Sequence, residues 1–320
     1  MKTKWFCGGL VFLIMFSFSS VPKVAALDYP TKPITLMGAF AAGGSTDVAL
    51  RSIAPFLQKF LGQPCVVIAV PGAGGQVGWT KLSQAKPDGY YIGMINIPHI
   101  QLGYILKKGV PFHPLTSFAM IGCNLADPGT ILVRNNSTFK TLKEVVEYGQ
   151  KNPGKLTVIA DGPQTDDHLA ILKFQKQFNL KVTYVPYTGG SAALTAFLGE
   201  MGDLLFANVS EYVWTPDRLR PLAQMWPERY HLIPQVPTVK EATGVELINS
   251  STRGLATPAG VPPEVLGKLR DAFKKAAHDP EYLEKAKKIP LTLTWMDADK
   301  FREFVKTVLD ELPDIIKDIQ

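Results

Sequence analysis

The stretch ITLMGAFAAGGSTDVALR at residues 34–51 reads as an apolar β-prone run, a Gly-Gly-Ser turn and the start of an amphipathic helix. A second copy, VTYVPYTGGSAALTAF at 182–197, repeats that order in the other half of the chain. Each glycine pair lets backbone come close to a ligand, and each serine is expected to cap the helix that follows. The unpaired N–H groups of such a helix start carry roughly half a positive charge, so each turn is a candidate anion site. The same turn also serves as plain strand-to-helix scaffold. Two copies facing one cleft would suit a ligand with two anionic groups.

Working outward, short apolar runs alternate with amphipathic stretches. Strands are expected at 34–40, 65–70, 91–97, 129–133, 156–160, 182–186 and 204–207, with a further apolar run at 117–124. Helices are expected at 47–60, 75–84, 142–151, 165–178 and 191–198. This alternation predicts an α/β protein with parallel sheets, whose ligands collect at the carboxyl ends of the strands. The tail is different. PAGVPP at 258–263 leads into helices at 264–278, 280–288 and from Ala298 onward, with Asp297 or Asp299 as the last cap.

The chain has 320 residues, which suggests two domains, and 46% hydrophobic against 19% charged residues, which excludes wholesale disorder. Three of its six net positive charges sit on Lys2, Lys4 and Lys23. The remainder is too weakly basic to argue for nucleic acid, and no basic run interleaves with aromatics. Residues 1–26 have a basic start, an apolar stretch from about Gly9 to Phe18 and a small-residue end, Val24-Ala25-Ala26. That is the pattern of a cleaved secretory signal peptide, too short to span a bilayer. Beyond it, Cys65 and Cys123 read as thiols buried in strands, with a disulfide left open. No CxxC, HExxH or GxSxG motif occurs.

Further segments fall in a recognisable order: YPTKPI at 29–34, FAAGGSTD at 40–47, LGQP at 61–64, PGAGG at 71–75 and PDGY at 87–90. NPGKL at 152–156, VPY with Gly189-Gly190, VPT at 236–238, and ATPAG with PPE at 256–264 complete the set. Together they span nearly the whole chain after the leader. In them the sequence resembles the extracytoplasmic receptors of tripartite tricarboxylate transporters, the Bug family of periplasmic solute-binding proteins. The resemblance implies a type II periplasmic binding-protein fold, with two α/β lobes joined by crossing strands near 121–124 and 250–255. Lobe one would be residues 27–121 plus 254–320, and lobe two 122–253. It further implies a soluble periplasmic receptor, not an enzyme, that takes a small organic acid and delivers it to membrane permease subunits. The expected receptor is a monomer without cofactor or resident metal. A sensory receptor on the same fold is the alternative. The residues carried over as ligand contacts are Gly43, Gly44, Ser45, Thr46 and Asp47, with Tyr187, Thr188, Gly189, Gly190 and Ser191. The alternative role for Asp47 is only to order its loop or favour the helix N-terminus.

The chain departs from the usual family pattern in lobe two. DGPQTDDHL at 161–169 places Thr165 as an N-cap and Asp166 and Asp167 in the first helical turn, where carboxylates suit the helix dipole. Either one Asp faces the cleft, or the pair only favours the helix. A cleft-facing Asp would repel a simple dicarboxylate; it would instead pair with Arg253, bind a ligand amine or help hold a metal. Arg253 replaces the aromatic usual there, and a guanidinium can grip a carboxylate with two hydrogen bonds. Its alternatives are a structural pair with Asp166 or Glu211. Asn208 and Ser210 end a strand and are expected to point into the cleft. The candidate set therefore adds Thr165, Asp166, Asn208, Ser210 and Arg253. Asp166 and Asp167 point about 100° apart on a helix, so they form no acid/base pair.

Overall fold

The computed structural model describes Met1 and residues 28–317, apart from 107–108, 214 and 290–291. The leader assigned to residues 1–26 lies outside the described residues except for Met1.

The first lobe begins with β1 (Ile34–Gly38), α1 (Ser45–Leu61), β2 (Cys65–Ala69), α2 (Gln76–Ser83), β3 (Tyr91–Ile97) and α3 (His99–Leu106). β1 lies between β2 and β3, parallel to both. The chain then runs through one long strand, β4 (Phe118–Arg134), and into the second lobe. There follow α4 (Leu142–Lys151), β5 (Leu156–Asp161), α5 (Asp166–Phe178), β6 (Val182–Tyr187) and α6 (Gly190–Leu198). β7 (Leu204–Asn208), α7 (Val209–Val213), β8 (Leu219–Met225) and α8 (Val239–Thr243) complete it. β5 is parallel to β6 and β7. The return strand β9 (Ser250–Pro258) leads to α9 (Pro263–Ala277), α10 (Pro280–Ala286), β10 (Leu293–Met296) and α11 (Ala298–Ile316).

The two lobes are joined through β4 and β9. These strands pair antiparallel from Phe118↔Pro258 to Pro128↔Ser250. At Gly129 the same strand β4 takes new partners, β7 on one edge and β8 on the other. The sequence reads the segments 117–124 and 129–133 as separate runs because Asp127-Pro128 interrupts them. Proline lacks an N–H, and Pro128 sits where the ladder changes partner, so it breaks nothing. Antiparallel pairing of β9 with β3 and β4 makes the sheet mixed, where strand-helix alternation alone predicted parallel sheets.

Each lobe buries both sheet faces. In lobe one, Ile34, Leu36, Leu50 and Phe273 pack on one side and Trp79, Leu82, Ile95 and Phe301 on the other. In lobe two, Val158, Phe174 and Phe206 oppose Ile159, Phe197 and Leu205. The tail helices return to lobe one: Phe273 of α9 joins the α1 core, and Phe301 and Val305 of α11 join that of Trp79. Asp297 caps α11, accepting from the Lys300 N–H at 2.9 Å. Among the described residues Cys65 and Cys123 are free thiols, Cys65 half-buried in β2 and Cys123 buried in β4.

Close packing of α11 on the crossing strands leaves no room at Gly254. A Cβ there would collide with the Phe301 ring and the Gly122 carbonyl. Overpacking of this kind costs about 1–3 kcal/mol. Gly254→Ala is therefore expected to lower the melting temperature clearly; an unchanged melt would contradict this packing.

Candidate ligand site between the lobes

The carboxyl ends of β1, β3, β5, β6 and β7 deliver the loops that precede α1, α3, α5, α6 and α7. Arg253 enters from β9, where it pairs with Asn96 of β3 and Leu125 of β4. Its side chain is 4% exposed. Nη2 donates to Ser45 Oγ at 3.0 Å, and Nη1 lies 3.6 Å from Asp127 Oδ2. Asp127, wholly buried, accepts in turn from Ser210 Oγ at 2.5 Å and from Ser210 N–H at 3.2 Å. One polar chain, Ser45–Arg253–Asp127–Ser210, thus runs from the start of α1 to α7. Asn96 donates to Thr46 Oγ1 at 3.0 Å beside it.

The two Gly-Gly-Ser turns both start helices, but neither serine caps its helix. Gly44 and Gly189 are the N-caps, without side-chain hydrogen bonds. Each helix starts early enough that its serine falls inside the first turn, and the Ser45 hydroxyl accepts from Arg253. Asp47 accepts from Gly43 N–H at 3.0 Å and from Arg51 Nε at 2.8 Å, so it orders its own loop. Those bonds hold its carboxyl below the usual range. In lobe two, Gly189 N–H donates to Asp161 Oδ1 at 2.8 Å. Glu211 lies against Gly190, where a Cβ would come within 2.8 Å of Oε1. Protein carboxylates therefore already face both turns. Gly43, Thr188 and Ser191 lie on the exposed side, and Tyr187 is half-buried.

Thr165 caps α5 as read from sequence, accepting from His168 N–H at 3.3 Å. The helix start carries Asp166 and Asp167, 3% and 4% exposed. Asp166 Oδ1 lies 3.4 Å from His99 Nε2 of α3, a direct contact between lobes. His168 stacks on Tyr184 and its Nδ1 accepts from Gln164 N–H, a packing and loop-ordering position. Arg253 pairs with Asp127, not with Asp166 or Glu211 as the sequence alternatives had it.

Burial governs the protonation of this cluster. It pushes Asp127 and Asp166 up to about 6, with Arg253 pulling the other way. Burial, then Asp127, pushes Glu211 up to about 8. Asp167 is raised well above the usual range by burial and then Asp166, and Asp161 is raised by burial. His99 is pushed down to about 4, so its imidazole is neutral at pH 7. Asp127 and His99 are the site residues that sequence reading missed. Their signals were a lone acid inside an apolar run, and a histidine just past a strand's carboxyl end.

Two α/β lobes hinged on crossing strands, with polar groups converging between them, define a solute receptor of the periplasmic binding-protein class. A profile described as the tripartite tricarboxylate transporter family receptor matches residues 49–320. The chain belongs to that family. A Cupriavidus necator protein described as UPF0065 protein in gbd 5'region is 32% identical over 305 residues, 93% of this chain and 91% of that one. The periplasmic binding protein BugD superposes with a TM-score of 0.80 at 27% identity, covering 91% of this chain and 98% of that one. MatC from Rhodopseudomonas palustris, solved with bound malate, shares the fold at 22% identity and TM-score 0.80, covering 90% of this chain and all of that one.

The cluster makes stability depend on pH. Glu211 holds its proton more tightly folded than unfolded, so its contribution is complete below its ordinary 4.5 and is lost as pH rises through about 8. His99 acts oppositely, losing stability as pH falls from 6.5 toward 4. The melting temperature of the unliganded chain is expected to fall from about pH 6.5 to pH 8.5, and Glu211→Gln to flatten that limb. A melting temperature that holds or rises there in the wild type would contradict the buried, protonated Glu211.

Proposed function

We propose that this chain is a periplasmic solute receptor that closes its two lobes on a small organic acid and hands it to the permease subunits of a tripartite transporter. The observation that carries the reading is the Arg253 guanidinium. It lies buried on a crossing strand and already holds the hydroxyl of Ser45 at the start of α1. A guanidinium keeps its charge and matches a carboxylate with two parallel N–H groups. The α1 start adds the partial positive charge of a 17-residue helix. Family membership supports the receptor role, as do relatives solved with malate and with adipate.

In this reading residues 1–26 are a cleaved leader, lobe one is 27–121 plus 254–320, and lobe two is 122–253. The inner contacts are Ser45, Thr46, Thr165, Asp166, Asn208, Ser210 and Arg253. Gly43, Gly44, Asp47, Tyr187, Thr188, Gly189, Gly190 and Ser191 form the rim. Binding shifts an open–closed equilibrium, which requires better contacts in the closed state than in the open one. No bond of the solute needs to break, and the receptor acts as a monomer.

The test is a thermal-shift screen of residues 27–320, freed of carried-over ligand by unfolding and refolding, against small mono-, di- and tricarboxylates and amino acids. A ligand at about 100-fold its dissociation constant adds about 2.7 kcal/mol, a clear upward shift. Arg253→Ala is expected to weaken the best carboxylate by about 30-fold or more, the usual scale for removing one partner of a buried charge pair. Absence of any shift across the panel would contradict the receptor reading; unchanged affinity in Arg253→Ala would contradict the assigned grip.

A further inference from the structure

The groups around Arg253 are unbalanced in two independent ways. The first is charge. Asp127, Asp166 and Glu211 interact with the guanidinium, and Asp161 and Asp167 interact with Asp166, so five acids share one fixed positive charge. The imidazole beside them, His99, is buried and neutral. The second is hydrogen bonding. Asp166 Oδ2, Asp167 Oδ1, Asn208 Oδ1 and Asn96 Oδ1 are buried side-chain oxygens without a hydrogen-bond partner. They belong to side chains only 2–5% exposed. Arg253 Nε and His99 Nδ1 are the unpartnered nitrogens among these site groups. Buried polar atoms are ordinarily satisfied, so this excess calls for an occupant rich in donors.

From this juxtaposition we propose that the solute is zwitterionic: its ammonium group is received by Asp166 and Asp167, and its carboxylate by Arg253 and the start of α1. The proposal rests on the receptor reading above and names its substrate class. An ammonium brings three donors, no acceptor and one positive charge, which answers both imbalances. Water supplies donors but no charge. A simple dicarboxylate adds two negative charges to a site whose acids would then all have to stay protonated. A metal ion demands several donors converging on one point, and among the described residues no three His, Cys, Asp or Glu groups are so arranged. The Asp pair stands at the lobe boundary, where Asp166 meets His99 across the cleft, so an ammonium there would touch both lobes when they close. Its arrival would also favour the ionised carboxyls and release protons on binding.

The experiment is calorimetric titration of the wild-type chain with matched pairs: L-aspartate and succinate, L-glutamate and glutarate, 4-aminobutyrate and butyrate. The expected result is that, in whichever pair binds, the amine-bearing member binds at least about tenfold tighter, the scale of a charged hydrogen bond. The Asp166→Asn/Asp167→Asn double variant, nearly unchanged in shape, is expected to erase that preference. An amine-free acid that binds the wild type as tightly as its amino partner, or tightly only with calcium present, would overturn the proposal and leave the receptor reading standing. Absence of binding by every member of every pair would overturn both. The wild-type comparison decides the question even if the double variant does not fold.

Discussion

The buried guanidinium of Arg253 is the constraint around which the rest of this cleft is arranged. A guanidinium cannot shed its proton, and taking a fixed charge out of water is costly unless partners surround it. Asp127 supplies the opposing charge from the neighbouring crossing strand, and Ser45 supplies an acceptor from the start of α1. Ser210 then holds Asp127 through both its hydroxyl and its N–H. The hinge, the first anion turn and the second lobe are tied together by a single charge.

The fold explains why that charge sits between the lobes. β4 and β9 are the strands that both lobes share, so a residue on them lies at the floor of the cleft. Strand ends on either side bring their loops toward it. The second-lobe loops carry acids whose pKa burial raises. His99 against Asp166 is a direct polar contact between the lobes. A ligand that neutralises the acids would hold the lobes together better than the acids do alone, which is the condition for closure on binding.

Much of this was legible in the sequence because it is local. The strand–turn–helix units and the Thr165 and Asp297 caps each declare themselves within a few residues. The crossing near 250–255 came from the family resemblance, and Arg253 drew notice because it replaces the aromatic usual there. What stayed hidden depends on contacts distant in the chain. Ser45 lies 208 positions from Arg253, and Asp127 lies 83 positions from Ser210. A single Asp inside an apolar run carries no sign of its partner. The serine of the first turn was read as a cap because local propensity favours that role, but the helix begins one residue earlier, with Gly44 as its N-cap.

The central claim is that a small acid is held between the lobes by Arg253. The most direct measurement is a crystal structure of the chain purified from its native host without unfolding, so that any natural solute is retained. The account predicts density for a small molecule whose carboxylate lies within hydrogen-bond distance of Arg253 and Ser45, with both lobes contributing contacts. A solute bound elsewhere, with Arg253 contacting only Asp127 and water, would contradict it.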